Sequence, residues 1–168
     1  MNIKKNIIIK YLFEKNGLNY QKHYENILIQ EKNKYRGFYI KKCNNCSMEE
    51  YMIYLFQEIL KKLPIAQNIL ICSNETSIEE MQSFLYRSVL CDQNTLFIIE
   101  ILESFSNFQH KKMYSFIDKL LSYKLDNSEI KNKNKLNTRE YLNTCIYFIY
   151  KKLEDEEAFL NELNKYVF

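Results

Sequence analysis

Two rhythms of apolar and polar residues alternate along this chain from Gly37 onward. Short apolar runs stand at 38–41 (FYIK), 68–72 (NILIC), 95–102 (TLFIIEIL) and 144–150 (TCIYFIY). Runs of this length and β-branched content read as strands, the last three as strands covered on both faces. Between them apolar residues recur at helical intervals: Met52, Leu55, Phe56, Ile59, Leu60 and Leu63; then Ile78, Met81, Phe84, Leu85 and Val89; then Phe108, Met113, Phe116, Ile117, Leu120 and Leu121. Ser47 with Glu50, and Thr76 and Ser77 with Glu79 and Glu80, have the spacing of capping boxes and mark helix starts. Pro64 is expected to close the first of these helices. The segment EDEEAFLNELNKY at 154–166 gathers carboxylates where a helix N-terminus favours them.

Strand, helix, strand, helix is the alternation of parallel βαβ units with right-handed crossovers. It predicts an α/β, Rossmann-like three-layer sandwich with a short, mostly parallel sheet over residues 37–168. Residues 1–36 are expected to form an N-terminal helical extension, two polar-faced pieces around Gly17 with Ile7, Ile8, Tyr11 and Leu12 on one and Tyr24, Ile27 and Leu28 on the other. The Lys- and Asn-rich stretch 123–143 lacks periodicity and is expected to be an exposed insertion.

Composition narrows the chemistry. The chain has 168 residues, 46% of them hydrophobic, enough for one domain with a real core. It holds only two glycines and one proline, and no complete glycine-rich phosphate loop can be written from it. Residues 1–62 carry 12 Lys/Arg against 6 Asp/Glu, and the remainder 12 against 15. No RNA-binding signature accompanies the basic part, so nucleic acid is not an expected partner. No apolar run is long enough to span a bilayer, and MNIKKNIIIKYLF lacks the hydrophobic stretch and cleavage site of a secretory leader. With five scattered cysteines this points to a cytoplasmic, reducing setting.

Cys43 and Cys46 form a C-x-x-C pair between a strand and a helix start. That placement suits a thioredoxin-like thiol–disulfide oxidoreductase, because a helix N-terminus lowers a thiol's pKa. Against this, Ser47 reads as the cap, leaving both thiols ahead of the first turn. Zinc needs four ligands, and no second C-x-x-C or histidine pair completes a set. Glu100 and Glu103 in LFIIEILES could serve as Walker B carboxylates, but no phosphate loop accompanies them. The CSNETS corner, Cys72–Ser77, lies where α/β proteins place ligands, yet capping accounts for its hydroxyls. Cys72 and Cys145 read as buried thiols, Cys91 lies near a helix end, and neither His23 nor His110 has a partner that would make a triad. No catalytic residue, cofactor site or metal site is assigned from the residues themselves.

The block LPIAQNILICSNETSIEEMQSFLYRSVLCDQNTLFIIEILESFS, Leu63–Ser106, resembles a segment of the mysterin family, giant AAA+ ATPases that carry a RING-type ubiquitin ligase module. The features that carry the resemblance are the proline before a strand ending in Cys72, the ETSIEE helix entry, FLYR at 84–87 and the strand at 96–102. It extends forward through QHKKMYSFIDKLL and CIYFIYKKLEDE and backward to GFYIKK, about two-thirds of the chain. The resemblance implies part of an ATPase body, with the phosphate loop and the RING outside this block. No position matches the family's Walker A lysine or RING cysteines. The expected function is therefore that of a noncatalytic module or fragment that contacts other proteins or the remainder of a larger polypeptide.

Overall fold

The computed structural model of the chain describes residues 35–44, 47–127 and 142–167. From Tyr35 on, the chain forms one compact unit. The expected helical extension, His23, Cys46 and most of the expected insertion lie outside the described residues.

Among the described residues four strands and four α-helices alternate: β1 Gly37–Lys42, α1 Met48–Leu60, a 3-10 turn at Ala66–Asn68, β2 Ile69–Cys72, α2 Ile78–Leu90, β3 Leu96–Ile101, α3 Asn107–Asp126, β4 Cys145–Tyr150 and α4 Glu156–Leu163. The strands form one sheet in the order β1-β4-β3-β2, and every pairing is parallel. This is the α/β sandwich that the alternation predicts. The connection from β1 through α1 must pass β4 and β3 to reach β2, whereas the later connections step back one strand at a time. Right-handed crossovers that advance in opposite directions put their helices on opposite faces. The two cores follow that rule. On one face α1 is the helix that packs among the described residues, with Met52, Leu55 and Phe56 against Leu96, Ile98, Cys145 and Ile149. On the other, α2, α3 and α4 cover Phe97, Ile99, Ile101, Ile146 and Phe148. Ile98, Ile99, Ile146 and Phe148 are fully buried, each contributing about 1.5–3 kcal/mol by removal from water.

Several local expectations shift. The first helix stops at Leu60, where Lys61 turns left-handed (φ 53°, ψ 34°), so the helix ends ahead of Pro64, and Leu63 is left 37% exposed. Ser47 Oγ accepts from the Glu50 N–H at 3.4 Å and its hydroxyl donates to the Glu49 carboxylate; no bond from the Ser47 N–H to the Glu50 carboxylate, the reciprocal half of a capping box, is found among the described residues. Phe108 is 63% exposed rather than inward. The inward face of α3 is set by His110, Met113, Tyr114, Ile117 and Leu121, and Phe108 lies two residues, about 200°, from His110. It rests instead under Lys112 Nζ, 5.3 Å from its ring centre. Helix α3 also runs to Asp126, into the stretch read as an insertion, because Leu120 and Leu121 are buried and Lys124 Nζ bonds the Val89 carbonyl at 2.9 Å.

Candidate functional site

In open parallel sheets ligands sit beyond the carboxyl ends of strands, at the crevice where neighbouring connections leave to opposite faces. Here that crevice lies between β1, which leads to α1, and β4, which leads to α4. Strand β1 and helix α1, joined by residues 43–47, make a strand–loop–helix unit of the kind in which a phosphate loop is written. Its loop reads Cys-Asn-Asn-Cys-Ser, with neither glycine nor lysine.

The chain's own side chains bridge this edge. Lys42 Nζ reaches Glu156 Oε2 at 2.6 Å, and the Tyr150 hydroxyl donates to Glu156 Oε1 at 3.0 Å, so one carboxylate joins the ends of β1 and β4. The Lys42 ammonium holds the Glu156 carboxyl below its usual range, with the Tyr150 bond assisting. Burial, then Glu156, pushes the Tyr150 hydroxyl up to about 12. Further along, Lys152 Nζ pairs with Glu103 Oε1 at 2.7 Å. Glu100, the carboxylate within β3, is 8% exposed and lies on the face covered by α1. Burial, then the Glu49 carboxylate, raises its pKa, while Lys151 opposes. Glu103 is thus engaged by Lys152 and Glu100 is buried; among the described residues no group of three or more His, Cys, Asp or Glu could hold a metal ion.

The Cys72–Ser77 corner is also internally satisfied. Ser77 caps α2, its Oγ accepting from the Glu80 N–H at 3.0 Å. Thr76 does not cap but pins the loop: its Oγ1 accepts from the Ser73 N–H at 2.9 Å and donates to the Ile71 carbonyl at 3.1 Å. Gln109 completes the closure. Its Nε2 donates to the carbonyls of Ser73 (3.1 Å) and Thr76 (2.8 Å), and its Oε1 accepts from the Ser106 N–H (3.0 Å). With Ser106 Oγ accepting the Gln109 N–H, this is a full capping box. The S-x-x-Q spacing was readable in the sequence; its long-range bonds were not.

Three of the described thiols, Cys43, Cys72 and Cys145, sit where reactivity is low. Cys43 is 1% exposed, and its N–H donates to the Tyr150 carbonyl at 2.8 Å. Cys72 and Cys145 are fully buried, and burial pushes the Cys72 thiol up to about 12. A redox cysteine needs access and a lowered pKa, and burial among apolar groups works against both.

A groove of about 840 Å³ lies between α3 and α4, with His110, Tyr114 and Phe159 among its lining and Asp118, Asp155 and Glu162 along it. Burial lowers the His110 pKa to about 4, against an opposing bond to the Ser106 backbone, so the imidazole is neutral near pH 7. Its Nε2 is buried without a hydrogen-bond partner among the described residues. The Phe105 and Phe159 rings lie edge-on to it, at 4.8 Å and 5.5 Å. No hydrogen bond among the described residues links His110 to a serine or cysteine hydroxyl or thiol, so the groove holds no assembled nucleophile–base pair. No family model, curated protein or solved structure matches the chain.

Proposed function

We propose that this chain is a noncatalytic α/β module, resembling part of the ATPase body of mysterin-type ubiquitin ligases, that works in the cytoplasm through protein–protein contacts. The observation that carries the reading is the loop at the β1/β4 crevice. In sequence it joins a strand to a helix as a phosphate loop does, it lacks the glycines and lysine that cradle phosphates, and the end of β1 before it carries the Lys42–Glu156–Tyr150 bridge, in which Lys42 is already paired. The Leu63–Ser106 block and the parallel sheet support the same relation. No helix among the described residues is long and apolar enough to cross a membrane.

Calorimetric titration with Mg²⁺ and ATP tests this reading, and no saturable heat is expected up to millimolar nucleotide. Micromolar, Mg²⁺-dependent binding would overturn it. The thiol–disulfide alternative receives no support from the burial of Cys43.

A further inference from the structure

The groove between α3 and α4, about 840 Å³, has the size of a small-ligand site. Its charges are sorted along its length. Asp155, at the start of α4, opposes the effect of burial on His110 in the first turn of α3. At the other end Asp118 Oδ1 accepts from the Tyr166 hydroxyl at 2.6 Å, just past the end of α4, and Glu162 stands nearby. The two helices therefore run side by side in the same direction, with one carboxylate at the His110 end and two at the Tyr166 end. Asp118 lies eight residues along α3 from His110, about 12 Å at the rise of a helix. Between the ends the wall is aromatic: His110, Tyr114 and Phe159 are 8%, 9% and 2% exposed.

Two independent features of this groove ask for the same kind of group. The first is its field. Burial, then Glu162 and Asp155, raises the Tyr114 pKa, and Asp155 is the charge acting on His110; Lys111 and Lys119, which also line the groove, are not among these influences. The carboxylates are only partly used by the fold. Asp155 Oδ1 accepts from the Ala158 N–H at 3.1 Å and Glu162 Oε2 from Lys165 Nζ at 2.6 Å, whereas an ionised carboxylate accepts at about four positions. The second feature is His110 Nε2, buried without a hydrogen-bond partner. The Ser106 backbone bond favours the protonated ring, so it is accepted from an imidazole N–H, and in the neutral ring Nε2 is left as an acceptor lacking a donor.

We propose that the α3–α4 groove binds a linear aliphatic polyamine, one terminal ammonium at the Asp155 end, the other at the Asp118–Glu162 end, and the methylene stem along Tyr114 and Phe159. An ammonium carries donors and no acceptor, which suits both the carboxylates and His110 Nε2. Two separated negative ends need two cationic groups, and the aromatic wall between them needs methylenes, which an inorganic cation lacks. An inner ammonium of the chain is further favoured by the face of the Tyr114 ring. A protein segment fits less well. One lysine side chain reaches one end only, and two would bring backbone carbonyls, themselves acceptors, against a wall already lined by carboxylates. The site goes beyond the protein-contact reading and does not depend on it.

The test is imidazole nitrogen NMR of the full chain at pH 7 and low salt, with spermidine as the probe and the His110 signal told from that of His23 by His110→Phe. A saturable shift of the His110 Nε2 resonance is expected at or below about millimolar spermidine, weakening as salt is raised to about 150 mM. Butylamine, with one ammonium on a similar stem, should bind about tenfold more weakly. Asp155→Asn, which keeps a capping side chain on α4, and Glu162→Gln should each weaken spermidine about three- to tenfold. No shift at millimolar spermidine overturns the site, as does binding that both variants leave unchanged. Butylamine binding as tightly as spermidine, or Mg²⁺ producing the same shift, overturns the two-ended polyamine and leaves a general cation surface. A peptide carrying two lysines that binds more tightly than spermidine overturns the free-amine assignment and gives the groove to a protein segment.

Discussion

The Gln109 side-chain amide donates to the Thr76 carbonyl at 2.8 Å, across 33 residues of sequence, and so ties the loop after β2 to the first turn of α3. Because the same side chain also serves Ser73 and Ser106, its removal takes these bonds from the Thr76 carbonyl and the Ser106 N–H, while the Ser73 carbonyl keeps the Thr76 N–H. Gln109→Leu is expected to lower stability by about 2–4 kcal/mol, read as a shift in the urea midpoint with an unchanged slope. An unchanged midpoint would show that water replaces all of these bonds.

His110 makes the fold sensitive to acid. Its folded pKa of about 4 lies below the ordinary 6.5, so the unfolded chain binds a proton first as pH falls. The stability it supports is full above about 6.5, declines between there and 4, and is lost below. The side chains facing it are Phe105, Tyr114 and Phe159, with Asp155 the nearby carboxylate favouring protonation. His110→Phe removes both the titration and the unpartnered Nε2. The variant should show a flatter dependence of midpoint on pH between 4 and 6.5, while a slope identical to that of the parent would exclude His110 as its source.

Helix α1 is the one described helix on its face of the sheet, and Phe56 is its fully buried anchor. Phe56→Ala should cost about 3–5 kcal/mol by opening a cavity in the core between α1 and the sheet. By contrast Phe108→Ser, at a position 63% exposed, should change stability by no more than about 0.5 kcal/mol. Thermal denaturation of the two variants side by side checks the placement of both rings.

Among the described cysteines, Cys91 is the partly exposed one, whereas Cys43, Cys72 and Cys145 are buried. Brief alkylation of the native protein near pH 7.5 should therefore label Cys91 well before those three. The Cys72 thiol, pushed up to about 12, should react only after unfolding. Peptide mapping that finds Cys43 labelled first would revive the thiol–disulfide reading.

Much of the fold is local information. The apolar runs around Leu70, around Ile98 and Ile99, and around Ile146 and Phe148 mark strands because burial on both faces leaves little room for polar residues. Ser47, Ser77 and Ser106 each stand one residue before a helix because its first N–H groups need an acceptor. The phase of α3 was less legible: Phe108 is as apolar as Phe116, and only packing against β3 and α2 decides that His110 and Tyr114 turn inward while Phe108 does not.

By itself, then, the sequence determined which segments are strands and helices, that the strands are covered, and that no glycine-rich phosphate loop is encoded. Strand order, the Lys42–Glu156 bridge and the closure of the Cys72–Ser77 corner by Gln109 were decided by tertiary structure alone. Periodicity records what each residue needs from its immediate neighbours. Which apolar strand lies beside which depends on crossovers that bring β1 next to β4 from far along the chain, and four runs of similar composition leave that choice unwritten until they pack.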